Sequence, residues 1–500
     1  MTFLLVMIFS ITFLVPLLPL LVRGAPFIGD SWVHMGLARG VLASGRYGLA
    51  SYNERWPLVN FLLVFLSSLT GFSELQASWT VPLLVGLSAL PLYALCRRLG
   101  LPRASALVPA LFVSLNPLYA YVTFSGAVMK ETSAFYLAVL LLHLASMGKY
   151  PSVGWMISMA VVGFGLVLGH HYASLVAFLS LWAYAAYGLF GWLRGENPPP
   201  KAILYAASAF TVPFSLWNWL NYLTLGAFFP IFEASDILLL LAVFTLSWFT
   251  LLADRGIISR RAPWLASSAF IISVLGLRGG LYIMAQPVEP ITVWEARNYA
   301  VAAVFSLAGL SAGLDRGPLR AWAASTVSMV LFAPLWGQTM PGFTLLIKAL
   351  HYYGILLAVG AGFTASWILR RRGGWLIVAA TLIFMAYASS TGTILALNGL
   401  GAYGREEVEL LRGISFSPGI KLYGDTRAAY LLPYTSNITA SGLKPLRMLD
   451  EGSIMLLFRP NWEQGFLMGY DWVAREAIAP EDQLMGRGRV YDSAHLRIIT

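Results

Sequence analysis

Cysteine is almost missing from this 500-residue chain: Cys96 stands alone, which excludes an internal disulfide framework and a cysteine-ligated metal site. Charge is scarce as well. Only 11% of residues are Asp, Glu, Lys or Arg against 58% hydrophobic, and the mean hydropathy is +0.71. So little polar surface cannot cover a soluble fold, and the composition is that of a polytopic membrane protein. Acidic residues are the scarcest charges, 23 against 33 basic ones. In a soluble chain the net charge of +10 would suggest nucleic acid. Here the excess sits in the connections between apolar runs, on the cytoplasmic side, and no nucleic-acid partner is implied. No internal repeat or low-complexity tract is present.

The expected fold is all-α, with about thirteen transmembrane helices and a small C-terminal α/β unit. The apolar runs lie near 3–22, 77–96, 104–122, 132–148, 152–168, 173–193, 202–227, 237–253, 263–284, 299–313, 320–336, 345–366 and 374–396. The first has no basic flank before it and Arg23 after it, which favours a membrane helix over a cleaved signal peptide. The run 57–71, bounded by Pro57 and Gly71, is short for a span and reads as an interfacial or re-entrant helix. With it left out of the count, Arg97, Arg98, Arg103, Lys149, Arg194, Lys201, Arg255, Arg316 and Arg370 to Arg372 all fall on one side. The positive-inside bias makes that side cytoplasmic and the N-terminus with it. Residues 1–400 then form the membrane domain, with a first outer loop over 23–76, and residues 403–500 an extracytoplasmic domain. In that domain short apolar runs such as Ile454 to Phe458 and Val490 to Ile499 alternate with polar residues.

The carboxylates sort the other way. Of the eleven Asp and Glu before residue 400, the eight at Asp30, Glu54, Glu74, Glu131, Glu233, Asp236, Glu289 and Glu295 fall on the outer side, where chemistry is to be sought. Asp30 stands at the start of an amphipathic helix with His34 one turn on, so a carboxylate and an imidazole share one face. They read either as a catalytic pair or as a helix cap beside an interfacial side chain. Lys130 and Glu131 open a span: an ammonium able to neutralise a phosphate beside a carboxylate, or a snorkelling lysine beside a dipole-compensating glutamate. His170 and His171 lie at the outer end of a span, where imidazoles read as groups that hydrogen-bond a lipid phosphate or assist proton transfer, or as interfacial packing. Adjacent residues point to different helix faces, so a metal site using both is disfavoured. Arg278 lies inside a span, where a guanidinium in lipid is costly enough to imply function. Glu233 and Asp236 read as catalytic or as merely solvated, and Asn437-Ile438-Thr439 is a glycosylation acceptor pattern.

Gly29, Asp30 and His34 resemble the Gly-Asp-x-x-x-His opening of the first outer loop in the GT-C superfamily of integral-membrane glycosyltransferases. The topology is similar to that of the oligosaccharyltransferase catalytic subunits within it. The resemblance implies a second acidic motif at Glu131, where Lys130 is a departure. It also implies a mobile outer loop with a Thr-x-x-Glu pattern, which Thr292 to Glu295 fits, flanked by Glu289 and Arg297. The Trp-Trp-Asp motif of oligosaccharyltransferases is missing. The nearest sequences are Asn461-Trp462-Glu463 and Tyr470-Asp471-Trp472, which puts transfer to an Asn sequon in doubt.

The resemblance implies a glycosyltransferase of a prokaryotic plasma membrane. It would move a sugar from a polyprenyl-phosphate-linked donor to a lipid, glycan or protein acceptor on the outer face, by inverting displacement. Asp30, His34 and Glu131 are the catalytic candidates. Lys130, His170, His171 and Arg278 are the candidates for the donor phosphate. Two roles remain open for the carboxylates: Asp30 as general base, or Asp30, Glu131 and Glu295 together holding Mg²⁺ or Mn²⁺. Oligosaccharyltransferase-type protein glycosylation and a lipid or solute transporter or flippase remain alternatives.

Overall fold

Inside a bilayer every backbone N–H and C=O must be satisfied within its own segment, so apolar runs of this length become helices. The computed structural model describes residues 2–26, 29–49, 52–115, 128–147, 152–195, 198–225, 234–252, 305–306, 309–310, 317–336, 340–397, 405–416 and 419–424, with the tail pieces 431–432, 434–435, 453–458, 489–492 and 496–499. These residues are mostly helical, with few strands.

Helix α1 (Thr2–Arg23) takes up the first apolar run, with Arg23 in its last turn. Helix α2 (Gly29–Ser44) carries Asp30 in its first turn, where a carboxylate suits the helix dipole. Helix α3 (Leu58–Thr70) follows Pro57 and is stopped by Gly71 at φ 72°, a left-handed conformation that glycine adopts without strain. At 13 residues it is about 20 Å long, short of the roughly 30 Å hydrocarbon layer. It buries Val59, Asn60, Leu63 and Ser67 on one face and exposes Phe61, Phe65 and Leu69 on another.

The run expected as one span near 77–96 is interrupted. It comprises α4 (Glu74–Ser78), α5 (Leu83–Leu87) and α6 (Ala89–Arg98). Pro82 supplies no N–H and stands at the N-cap of α5, and a Ser73–Gln76 capping box starts α4. The other runs become α7 (Arg103–Leu115), α8 (Lys130–Ser146), α9 (Val153–Gly169), α10 (His171–Leu193), α11 (Lys201–Leu225), α12 (Ala234–Leu252), α13 (Gly317–Trp336), α14 (Met340–Ile368) and α15 (Gly374–Leu397). The runs 263–284 and most of 299–313 lie outside the described residues. Among the described residues, Glu74–Arg98, His171–Leu193 and Lys348–Ile368 are long and apolar enough to cross a membrane, and further apolar helices are shorter.

Two hydrophobic cores result. The larger joins the bundle helices through side chains such as Phe112, Phe135, Trp322 and Tyr352. The second lies where α2 and α3 meet the last hundred residues. There Trp32, Met35, Val59 and Leu63 pack with Val408 and Leu411 of α16 (Arg405–Arg412) and with Leu431, Leu432, Tyr434 and Leu456. The expected tail runs form strands. β1 (Leu422–Gly424), β2 (Ile454–Phe458), β3 (Arg489–Asp492) and β4 (Leu496–Ile499) make a sheet of order β1-β2-β4-β3. β1 and β2 pair in parallel, and the other pairs are antiparallel.

Candidate functional site

The first turns of α2, α8 and α10 converge with the N-terminal third of α14, at Lys348. The Ser31 hydroxyl accepts from the Val128 N–H at 2.8 Å, which docks the approach to α8 on the start of α2. Lys130 is thereby within electrostatic reach of Asp30. Its Nζ donates to Asn53 Oδ1 at 2.9 Å and lies 5.2 Å over the Trp56 ring, a cation–π contact. Lys130 and Glu131 are each 3% exposed, and a charge so buried must be paired. Glu131 Oε1 lies 2.7 Å from Lys348 Nζ on α14 and 3.1 Å from His170 Nε2. His170 is the N-cap of α10, and its Nδ1 accepts from the Ala173 N–H at 3.3 Å. That cap leaves the ring proton on Nε2, facing Glu131. His171 instead packs against Trp56, with ring centroids 4.5 Å apart and the rings tilted by 49°.

His34 is fully buried beside this cluster. Its Nδ1 donates to Asn60 Oδ1 at 2.8 Å, Asn60 Nδ2 donates to the Tyr47 hydroxyl at 2.7 Å, and that hydroxyl donates to the Glu54 carbonyl at 2.9 Å. Burial, reinforced by the Lys130 charge, lowers the His34 pKa to about 3 although Asn60 and Glu131 pull it upward. The ring is therefore neutral, with an unshared pair on Nε2, an atom that is buried and has no hydrogen-bond partner among the described residues. Burial also raises the Tyr47 hydroxyl to about 12, so it stays protonated.

The structure thus brings Asp30, His34, Lys130, Glu131, His170 and His171 into one neighbourhood, although the partner it gives His34 is Asn60. Asp236 sits in the first turn of α12. Arg278, Glu289, Thr292, Glu295, Arg297 and Glu233 lie outside the described residues, as do Asn437 to Thr439 and both Trp-containing tail sequences. Of the expected Mg²⁺ or Mn²⁺ set of Asp30, Glu131 and Glu295, the last lies outside the described residues. Glu131 is paired with an ammonium and an imidazole, and among the described residues no three His, Cys, Asp or Glu side chains are placed to hold an ion. Four members of the cluster were missed in the sequence: Lys348, Asn60, Asn53 and Trp56. Lys348 carried a signal, a lone ammonium within the apolar run 345–366, on the same grounds that singled out Arg278. Asn60 interrupts an apolar stretch in the same way, and Asn53 had no signal.

A helical membrane bundle with a buried charged cluster under its first long loop is the class that fold and site define. Two solved structures of the oligosaccharyltransferase of Archaeoglobus fulgidus share the fold. One, in complex with zinc and sulfate, aligns with a TM-score of 0.54 at 14% identity over 85% of this chain and 61% of its own. The other, tethered by a disulfide to an acceptor peptide containing the NVT sequon, aligns with a TM-score of 0.52 at 12% identity over 86% and 63%. This chain therefore spans less than two thirds of the length of those proteins. No family model matches the sequence, and no curated protein does. At this identity the alignment shows a shared fold alone and leaves the reaction to be argued from the site.

Proposed function

We propose that the chain is a membrane glycosyltransferase that moves a sugar from a polyprenyl-phosphate-linked donor to an acceptor hydroxyl on the extracytoplasmic face. The observation that carries this reading is the buried Lys130, held between Asp30 and Asn53 at the mouth of α2 and backed by Glu131 and Lys348. A cluster with two ammonium groups and two carboxylates suits a reaction in which a phosphate leaves and a proton must be taken up. Asp30, in the first turn of α2, is the general base, and it removes the acceptor proton as the oxygen attacks the anomeric carbon. The bond from that carbon to the phosphate oxygen breaks, its electrons leave with the polyprenyl phosphate, and the configuration inverts. Lys130 and Lys348, with Arg278, receive the phosphate charge. Burial keeps the His34 ring neutral, and its open Nε2 accepts a hydrogen bond from a substrate hydroxyl. His170 and Glu131 hold Lys348 in place, and the resemblance assigns Glu289, Glu295 and Arg297 to a mobile outer loop.

The frame for this chemistry is a membrane domain over 1–400 with thirteen spans and a cytoplasmic N-terminus, followed by an extracytoplasmic domain over 403–500. The resemblance at Gly29, Asp30 and His34, the placement of arginines in the sequence and the oligosaccharyltransferase-like fold support it. A prokaryotic plasma membrane is the matching location. Sequon transfer is the less favoured variant, because the Trp-Trp-Asp motif is missing from the sequence. One other reading is a transporter, since a charged side chain within an apolar run, such as Lys348, also marks transport paths. Incubation of membranes with radiolabelled, polyprenyl-linked sugars and a broad acceptor extract decides between them. Donor-dependent labelled product is the expected result. Passage of labelled lipid between leaflets with no product would replace the transferase by a transporter.

A further inference from the structure

A second polar feature lies farther along α2, outside the cluster just described. A cleft of about 690 Å³ opens between α2, α4 and the tail, lined by Arg39, Leu42, Ala43, Glu74, Arg412 and Thr435. Both guanidiniums are held against a single ring. Arg412 lies 4.9 Å and Arg39 5.9 Å from the Tyr434 centroid. Arg412 Nη2 donates to the Tyr434 hydroxyl at 2.7 Å, and Arg39 Nη1 donates to the Tyr434 carbonyl at 2.9 Å. The ring itself is fixed by Trp32, 5.2 Å away in the second core. Among the described residues Glu74 pairs with Arg39, at 3.7 Å. Among the described residues lining the cleft, two guanidiniums therefore face one carboxylate, and Arg39 Nη2 and Arg412 Nε and Nη1 are not used to hold Tyr434.

Arginines clamped in this way have already lost the side-chain freedom that an anion would otherwise have to restrict, and their planar forks match the oxygens of a phosphate or carboxylate. Arg39 is nine residues beyond Asp30 on one helix, about 13 Å along its axis. We propose that this cleft binds a phosphate or carboxylate carried by the acceptor, so that the reaction selects anionic acceptors. The selecting role rests on the transferase reading, whereas the anion site does not.

The test titrates inorganic phosphate into the full chain in phosphatidylcholine nanodiscs by calorimetry, at low salt, for wild type, Arg412→Gln and Arg412→Lys. Arg412 is exposed, so neither variant is expected to unfold the chain. Wild type is expected to show a binding phase weakened about tenfold or more in Arg412→Gln and partly kept in Arg412→Lys, because a point charge replaces a fork. Identical titrations of wild type and Arg412→Gln would overturn the site. Loss of the phase in phosphatidylglycerol nanodiscs would identify a lipid headgroup as the occupant and overturn the acceptor assignment. In the transfer assay, an acceptor pool fractionated by anion exchange should give product from its anionic fraction, with KM raised in Arg412→Gln. Equal use of neutral acceptors would overturn the selecting role with the transferase reading intact. Phosphate binding without transfer to any acceptor would remove that role together with the transferase reading and leave the anion site.

Discussion

His34 sets the behaviour of the site at the scale of a single side chain. Its pKa near 3 in the folded chain lies below its ordinary value of 6.5, so the unfolded chain binds the extra proton between those values. Stability attributable to His34 is level above about pH 7 and is lost as pH falls from 6.5 toward 3, with a slope approaching 1.4 kcal/mol per pH unit. Thermal unfolding of the detergent-solubilised protein from pH 7.5 to 4.5 should therefore steepen on the acid side, and His34→Gln should flatten that slope by one proton. An unchanged slope would mean that His34 is charged or exposed. Removing its partner tests the same network: Asn60→Ala leaves the His34 Nδ1–H buried and unmatched, at a cost of about 1–3 kcal/mol.

At the scale of elements, Glu131 and Lys348 tie the start of α8 to the N-terminal third of α14. Removing one partner of a buried pair leaves a charge in an apolar setting, so Lys348→Met is expected to lower stability by about 3–5 kcal/mol. Lys348→Met combined with Glu131→Leu should recover most of that loss. Additive losses in the double variant, read from melting in nanodiscs, would show that the two groups do not pair. The outer face of α3 makes another prediction. Phe65 is 61% exposed, and on a water-facing surface Phe65→Asp would change stability by no more than about 0.5 kcal/mol. Facing lipid, the same change should cost up to about 3 kcal/mol and reduce membrane accumulation. A neutral outcome would place α3 in water.

Most helices were legible because apolar runs and terminal charges are local signals, and α2, α3 and α14 lie close to where those signals put them. The interruption after Ser78 was written in Pro82, but the apolar average over 77–96 concealed it. The cluster was half legible. Asp30, Lys130, Glu131 and His170 announce themselves as rare polar groups at the ends of apolar runs, whereas the pairing of Glu131 with Lys348 joins residues more than two hundred positions apart. No local pattern specifies such a contact, because helix packing alone brings the two together. The Arg39–Tyr434–Arg412 arrangement was concealed for the same reason.

At the scale of the whole molecule, the second core binds α2 and α3 to the tail, so the cluster at the start of α2 and the arginine cleft farther along it ride on one helix. The account stands or falls on Asp30. The most direct measurement compares wild type, Asp30→Asn and Asp30→Glu, each verified to be inserted, for donor binding and for sugar transfer in the same membranes. The account predicts that Asp30→Asn retains the polyprenyl-linked donor while transfer falls by about 10²–10⁴-fold, the range for loss of a general base, with partial activity in Asp30→Glu. Transfer by Asp30→Asn at the wild-type rate would contradict it.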